Sequence, residues 1–328
     1  MNLMKALQVT RPRTFEYVQV PVPDLETAGA DRILVQPEWF SLCGSDIPFF
    51  TGSKRFKNYP LPAGAPIHEC VGKVVKSTSS QFQAGDRVVA IPESDRGLAE
   101  FFLAQSAKAV KLPEGLNDEG SDCLIQPLST VLNGVDRLGS VEGKSVAVIG
   151  LGSIGLFFCW LLRQRGAASV IGIDPLAGRC RFAEAVGADR NFPHRSIEFL
   201  HAVRQGSLEW QPPDICIEAV GHQMDTLNDC LELVRNYGTV LAFGVPDQPV
   251  YAIEYETFFR KNAHLRAVVT PEWSVYLAKA RNLFLEHRAT LGKWVTHQMP
   301  IHDAAKTFTL YERHEDGIVK ALMNTSYW

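Results

Sequence analysis

The sequence predicts an α/β protein of two domains, one β-rich and one a doubly wound parallel sheet with helices on both faces. Three observations predict it. The 328 residues exceed what one hydrophobic core normally supports. Short apolar runs broken by Gly, Pro and Asp fill the first part of the chain. From residue 128 onward, uniformly apolar runs of strand length alternate with segments of helical spacing, and strands apolar throughout suit a parallel sheet buried on both faces.

In the first part, Ile33–Glu38, Cys70–Lys76 and Arg87–Ile91 read as strands, and Pro21-Val-Pro23 and Tyr59-Pro-Leu-Pro62 as turns. Leu128–Leu138 then has helical spacing. Strands are predicted at Ser145–Ile149, Ser169–Ile173, Asp214–Glu218, Thr239–Phe243 and Leu265–Val269, with helices at Gly155–Gly166, Gly178–Val186 and Met224–Val234. A helical stretch, Glu272–His287, leads into a tail ending in Ile318–Met323. That tail is too short for its own core and is expected to return to the first domain. The expected division is 1–127, 128–269 and 270–328.

Composition excludes several classes. A net charge of -3 with 21% charged residues gives no basic surface for nucleic acid or for an acidic membrane. The N-terminal segment lacks a long apolar core and a small-residue cleavage site, so no secretion signal is expected. Ser145–Leu162 carries no charge, but glycines interrupt it and Arg163 and Arg165 follow, which suits a buried strand, turn and helix better than a membrane span. Seven cysteines, an odd number without a CxxC, are expected to be free thiols in a cytoplasmic protein.

Chemistry enters at Gly150-Leu-Gly152-Ser-Ile-Gly155, a GxGxxG turn between a strand and a helix. Gly150 permits the tight turn, Gly152 lets a pyrophosphate approach the backbone, and Gly155 lets helix and strand pack closely. The helix N-terminus supplies N–H donors and a positive dipole for phosphates. Asp174 ends the next strand, where a carboxylate would accept the adenosine ribose hydroxyls and repel a 2′-phosphate, favouring NAD over NADP. The alternative is that Asp174 shapes the turn before Pro175. Arg179, one helical turn on, reaches the adenosine or is a solvated charge.

Leu42-Cys-Gly-Ser-Asp46 and Pro66-Ile-His-Glu-Cys-Val-Gly72 carry a thiolate, an imidazole and carboxylates, enough to hold a catalytic zinc with a position left for water or substrate. Ser45 would then relay the alcohol proton. Alone, each of these residues has a structural alternative, since a single cysteine is usually a buried hydrophobe.

Taken in order, Cys43-Gly-Ser-Asp46, His68-Glu69 with Gly72, Gly85-Asp-Arg-Val88, Gly97-Leu-Ala-Glu100, Gln126-Pro-Leu-Ser129, the glycine turn, and Ala183 with Gly187-Ala-Asp189 span nearly the whole chain. In this order they resemble the zinc-type medium-chain dehydrogenases and reductases, closest to the polyol and threonine dehydrogenase branch. The resemblance implies a GroES-like β-barrel domain rejoined by the C-terminal tail, a Rossmann domain, and an active site in the cleft between them. It implies one catalytic zinc per chain on Cys43 and His68, with Glu69 as a further or exchanging ligand and Ser45 on the substrate hydroxyl. Thr130 would lie near the nicotinamide, with Asp174 and Arg179 at the adenosine. Ser153, Ile154, Val220 and Phe243 complete the expected cofactor contacts. A homodimer or homotetramer is implied, through the strand near Thr239–Val245.

The sequence departs from the family pattern at four places. Ile91-Pro-Glu-Ser-Asp-Arg-Gly97 holds no cysteine, so no structural zinc is expected. Gln126 stands where the family usually has a third charged ligand, and a neutral amide is a poorer one. Zinc would rest on Cys43, His68 and Glu69 without it, or Gln126 would hydrogen-bond a bound water or the substrate, or the site would be metal-free. Ile67 replaces a usual glycine, which alters the backbone or narrows the pocket, and Pro48 replaces a proton-carrying histidine.

Phe49, Phe50, Phe56 and Tyr59 either line an apolar cleft or pack the barrel, and Lys54, Arg55 and Lys57 either receive an anionic substrate group or are solvated. The expected function is NAD-dependent interconversion of a secondary alcohol (polyol, sugar or amino-alcohol type) and a ketone. The alternatives are a metal-free reductase of a carbonyl, enone or quinone, and a non-catalytic NAD-binding protein.

Overall fold

The computed structural model describes residues 2–53, 58–115, 120–326 and 328. The chain divides into two compact units, Met1–Ser129 with Glu272–Trp328, and Thr130–Pro271.

The first unit begins with an antiparallel pair, β1 (Leu3–Arg11) and β2 (Thr14–Pro21). Then follow β3 (Arg32–Ser41), β4 (Glu69–Ser77), β5 (Arg87–Ala90), β6 (Phe102–Gln105) and β7 (Ala109–Lys111). Six parallel strands make the sheet of the second unit: β8 (Ser145–Ile149), β9 (Ser169–Ile173), β10 (Arg190–Phe192), β11 (Ile215–Glu218), β12 (Thr239–Ala242) and β13 (His264–Ala267). The tail adds β14 (Val295–Pro300) and β15 (Lys320–Asn324) to the first unit.

The main sheet of the first unit runs β14-β15-β3-β4-β5-β7, with β6 on β3. β15 pairs antiparallel with β3, Leu322 opposite Ser41, which brings the C-terminal segment beside the start of the Cys43 turn. Phe50 sits at the centre of the core beneath these strands, its ring 5.3 Å from Phe15 and 5.0 Å from Phe308. The core therefore claims Phe50, one of the two roles its sequence context allowed.

The second sheet runs β10-β9-β8-β11-β12-β13, and the strand order reverses between β8 and β11. In this doubly wound order, ligands bind outside the carboxyl ends of the strands at the reversal. β8 and β9 are buried along nearly their whole length, as their apolar runs require. β10 and the helix Ser196–Arg204 are elements the sequence reading did not find. β10 has only three residues and is held by pairing with β9 rather than by an apolar run of its own. The uncharged stretch Ser145–Leu162 is β8 followed by the helix Ser153–Gln164, and among the described residues no helix is long and apolar enough to cross a membrane.

One expectation is corrected. The strand near Thr239–Val245 cannot pair with another subunit edge to edge, because β12 is already hydrogen-bonded to β11 and to β13. The outer strand on that side is β13.

Candidate functional site

The glycine turn has the geometry its spacing predicts. Gly150 takes φ +90°, and a Cβ on Gly155 would stand 1.8 Å from the Gly150 carbonyl oxygen. Over Gly152 the nearest atom a Cβ would meet is Arg179 Nη1 at 4.0 Å, so the backbone there is open to approach. Replacing Gly155 by alanine is therefore expected to destabilise the second unit by about 2–3 kcal/mol, read by denaturant unfolding, and unchanged stability would contradict this packing.

Asp174 is 3% exposed. Its Oδ2 accepts the Leu151 N–H at 2.8 Å, its Oδ1 accepts the Leu176 N–H at 2.8 Å, and Arg179 Nη1 lies 3.6 Å from Oδ2. It thus shapes the turn before Leu176 and also anchors the glycine turn, while a carboxylate has lone pairs beyond those two bonds. Val220 lies against the turn, its Cγ2 2.7 Å from a Cβ built on Gly150. Ser153 is buried and Ile154 half-buried on the first helical turn. Phe243 uses its ring for packing, 4.9 Å edge-on to Phe158 and against Gly134. Thr130 is half-buried one turn before Gly134, in the helix Ile125–Leu138.

The second constellation lies in the first unit. β3 delivers the chain to Leu42, whose N–H is held by the Ala321 carbonyl. Cys43 then opens a short 3₁₀ turn, Gly44–Asp46, which includes Ser45. β4 begins at Glu69, opposite Ser41, with His68 just before it. Ligand atoms of Cys43, His68 and Glu69 all lie within 4.8 Å of one another.

Two residues not singled out in the sequence support this group. Asp46 accepts the Cys43 N–H at 2.8 Å through Oδ2, and its Oδ1 lies 3.0 Å from His68 Nδ1. Lys320, wholly buried, donates to Leu42 O at 2.7 Å and to Glu69 Oε2 at 2.5 Å. The other carboxylate oxygen, Glu69 Oε1, is buried with no hydrogen-bond partner.

The electrostatics follow from burial. Burial raises the Asp46 carboxyl pKa against the pull of His68. On His68 burial works the other way, but the Asp46 carboxylate outweighs it and holds the imidazole well above the usual histidine value. Burial likewise opposes the Lys320 charge, and the Glu69 carboxylate, with Cys43, keeps its pKa above the ordinary lysine value. Removing one member of a buried ion pair strands the other. Lys320→Met is therefore expected to cost about 3 kcal/mol in denaturant unfolding, and a Glu69→Leu/Lys320→Met double variant to recover part of it.

These residues fit a zinc ion. Thiolate, imidazole and carboxylate are its usual donors. A histidine whose Nδ1 is held by a carboxylate presents Nε2 to the metal, and Glu69 Oε1 is a donor atom left unused by the protein.

Gln126 is buried at the start of Ile125–Leu138, its backbone carbonyl accepting the Ser129 hydroxyl at 2.6 Å. The Ile67 side chain is fully buried in the core against Gly97. Pro48 is buried in the first turn of Ile47–Thr51. Phe49 is half-buried, its carbonyl accepting the Tyr59 hydroxyl at 2.7 Å. Lys54, Arg55, Phe56 and Lys57 lie outside the described residues. All seven cysteines are free.

Comparisons with known proteins agree with this architecture. The family model described as Zinc-binding dehydrogenase matches residues 153–285, and that of the Alcohol dehydrogenase GroES-like domain matches residues 29–114. The chain is 25% identical to an alcohol dehydrogenase of Cupriavidus necator, with 97% of this chain and 98% of the relative covered. It is 25% identical to a sorbitol dehydrogenase of Bacillus subtilis, over 75% of this chain and 76% of the relative. Its fold matches a zinc-binding dehydrogenase of Sinorhizobium meliloti 1021 solved with NADP, at a TM-score of 0.81 and 23% identity, covering 99% of this chain and 100% of that one. With the GroES-like and Rossmann folds both in place, the chain belongs to the zinc-type medium-chain dehydrogenases, the alcohol-dehydrogenase-like oxidoreductases.

Proposed function

We propose that the protein oxidises a secondary alcohol of polyol type to the ketone with NAD as cofactor, assisted by one zinc held by Cys43, His68 and Glu69. The observation that carries this reading is the convergence of those three ligand atoms within 4.8 Å, beside an unpaired Glu69 Oε1. When bound, zinc would polarise the alcohol oxygen and the nicotinamide would accept the hydride. Asp46 fixes the His68 tautomer and the Cys43 backbone. Ser45 relays the alcohol proton, its hydroxyl taking that proton as it passes its own to a cofactor hydroxyl. Gly150, Gly152 and Gly155, with the N–H groups of Ser153 and Ile154, receive the pyrophosphate, while Asp174 and Arg179 hold the adenosine ribose. Thr130, Val220 and Phe243 border the nicotinamide half. The polyol class is supported by the sorbitol dehydrogenase relative. A homodimer or homotetramer formed through β13, in a reducing cytoplasm that suits seven free thiols, completes the reading.

One observation favours a second reading. Glu69 Oε2 is committed to Lys320, and Gln126 offers only a neutral amide, which would suit a metal-free reductase binding a carbonyl through Ser45 and Gln126. Elemental analysis of protein purified without added zinc, paired with a panel of secondary alcohols and NAD, separates them. About one zinc per chain with turnover of polyols supports the first reading. No zinc, with reduction of carbonyls or enones, replaces it by the second.

A further inference from the structure

Two buried carboxylates stand at the carboxyl edge of the parallel sheet. Asp174 follows β9 and is described above. Glu218 is the last residue of β11 and is 4% exposed. Its Oε1 accepts the N–H of Val220 at 3.0 Å, the N–H of Gly221 at 2.9 Å and the hydroxyl of Thr226 at 3.1 Å. Its Oε2 accepts the N–H of Gly244 at 3.1 Å, and its own carbonyl accepts the N–H of Phe243 and of Gly244 at 3.0 Å each. One side chain therefore ties the loop after β11 to the loop after β12.

The two loops are in close contact. A Cβ on Gly244 would lie 2.2 Å from Gly221 N and 2.5 Å from Glu218 Oε2, and one on Gly221 would lie 2.7 Å from Val245 N. The His222 N–H donates to Val245 O at 2.7 Å, and His222 Nδ1 lies 2.7 Å from Asp247 Oδ1. Only an acceptor without protons suits four converging donors, since an amide in this place would turn an NH₂ group towards one of them.

β11 neighbours β8 across the reversal in strand order, and Val220 touches the glycine turn. A dinucleotide whose adenosine half lies at Asp174 must lay its other half along the ends of β11 and β12. We propose that Glu218 is a positioning residue for the nicotinamide half of the cofactor, fixing the two loops on which that half rests. This rests on the dinucleotide reading above. The adenosine half, held by Asp174 and the glycine turn, does not depend on it.

The test is fluorescence or calorimetric titration of wild type and Glu218→Gln with NADH and with 5′-AMP, which carries only the adenosine half. The variant should bind NADH about tenfold more weakly and 5′-AMP as wild type does. Thr226→Val, which removes one donor and keeps the carboxylate, should show a smaller loss in the same direction and serves if Glu218→Gln does not fold. Parallel weakening of both ligands would reduce Glu218 to a general structural role and overturn the proposal, as would no weakening of NADH. Wild type that binds NADH no better than 5′-AMP would instead overturn the dinucleotide reading, and this proposal with it.

Discussion

Cys43→Ser should abolish metal binding and turnover together while leaving the dinucleotide in place. Zinc prefers a thiolate, and of the three converging ligands only Cys43 supplies one. A serine hydroxyl stays protonated and is a far weaker donor, so the site would fall to two strong ligands. Metal polarisation of the alcohol oxygen is worth several kcal/mol of transition-state stabilisation, so kcat/KM should fall by about three orders of magnitude. The fold should survive, because the Asp46 carboxylate holds residue 43 through its backbone N–H, a bond that serine keeps. Zinc analysis, NADH titration and steady-state kinetics on one preparation check all three statements. A variant with full activity would remove the zinc mechanism.

The second large effect concerns cofactor choice. NADH should bind at least about tenfold more tightly than NADPH, because a 2′-phosphate would meet the Asp174 carboxylate. The fold does not decide this, since a structure of the same fold holds NADP. The prediction rests on the end of β9, where Arg179 Nη1 sits 3.6 Å from Asp174 Oδ2. Asp174→Ala should bring the two affinities to within about twofold of each other. It should also weaken NADH by about tenfold, since the variant loses the anchor of the Leu151 N–H as well as the ribose contact. Comparable wild-type affinities in a fluorescence titration would sink the assignment.

The parallel sheet was legible because its strands are buried on both faces and therefore apolar throughout. Its glycine turn was legible because Gly150 and Gly155 answer contacts that a side chain would break, while Gly152 leaves the backbone open to approach. β10 was not, since three half-exposed residues leave no pattern. In the first unit the ligand segments could be read, but their supports could not. Asp46 lies in the same short segment as Cys43, yet only the folded turn shows that its carboxylate faces both Cys43 and His68. A signal for Lys320 was present, a lone lysine within the apolar run Ile318–Met323, which a buried site tolerates only with a partner. That the partner is Glu69 follows from the pairing of β15 with β3, a long-range contact that local pattern does not encode. Glu218 escaped for a related reason, since its four donors come from two loops and a helix turn.

Hydride transfer in this protein should depend on bound zinc. The most direct test is the initial rate of NADH formation from a secondary alcohol as zinc is added back to chelator-stripped protein. The rate should be near zero without metal and rise to a plateau at about one zinc per chain. A stripped protein that turns over at the full rate would contradict the assignment of Cys43, His68 and Glu69 as the catalytic metal site.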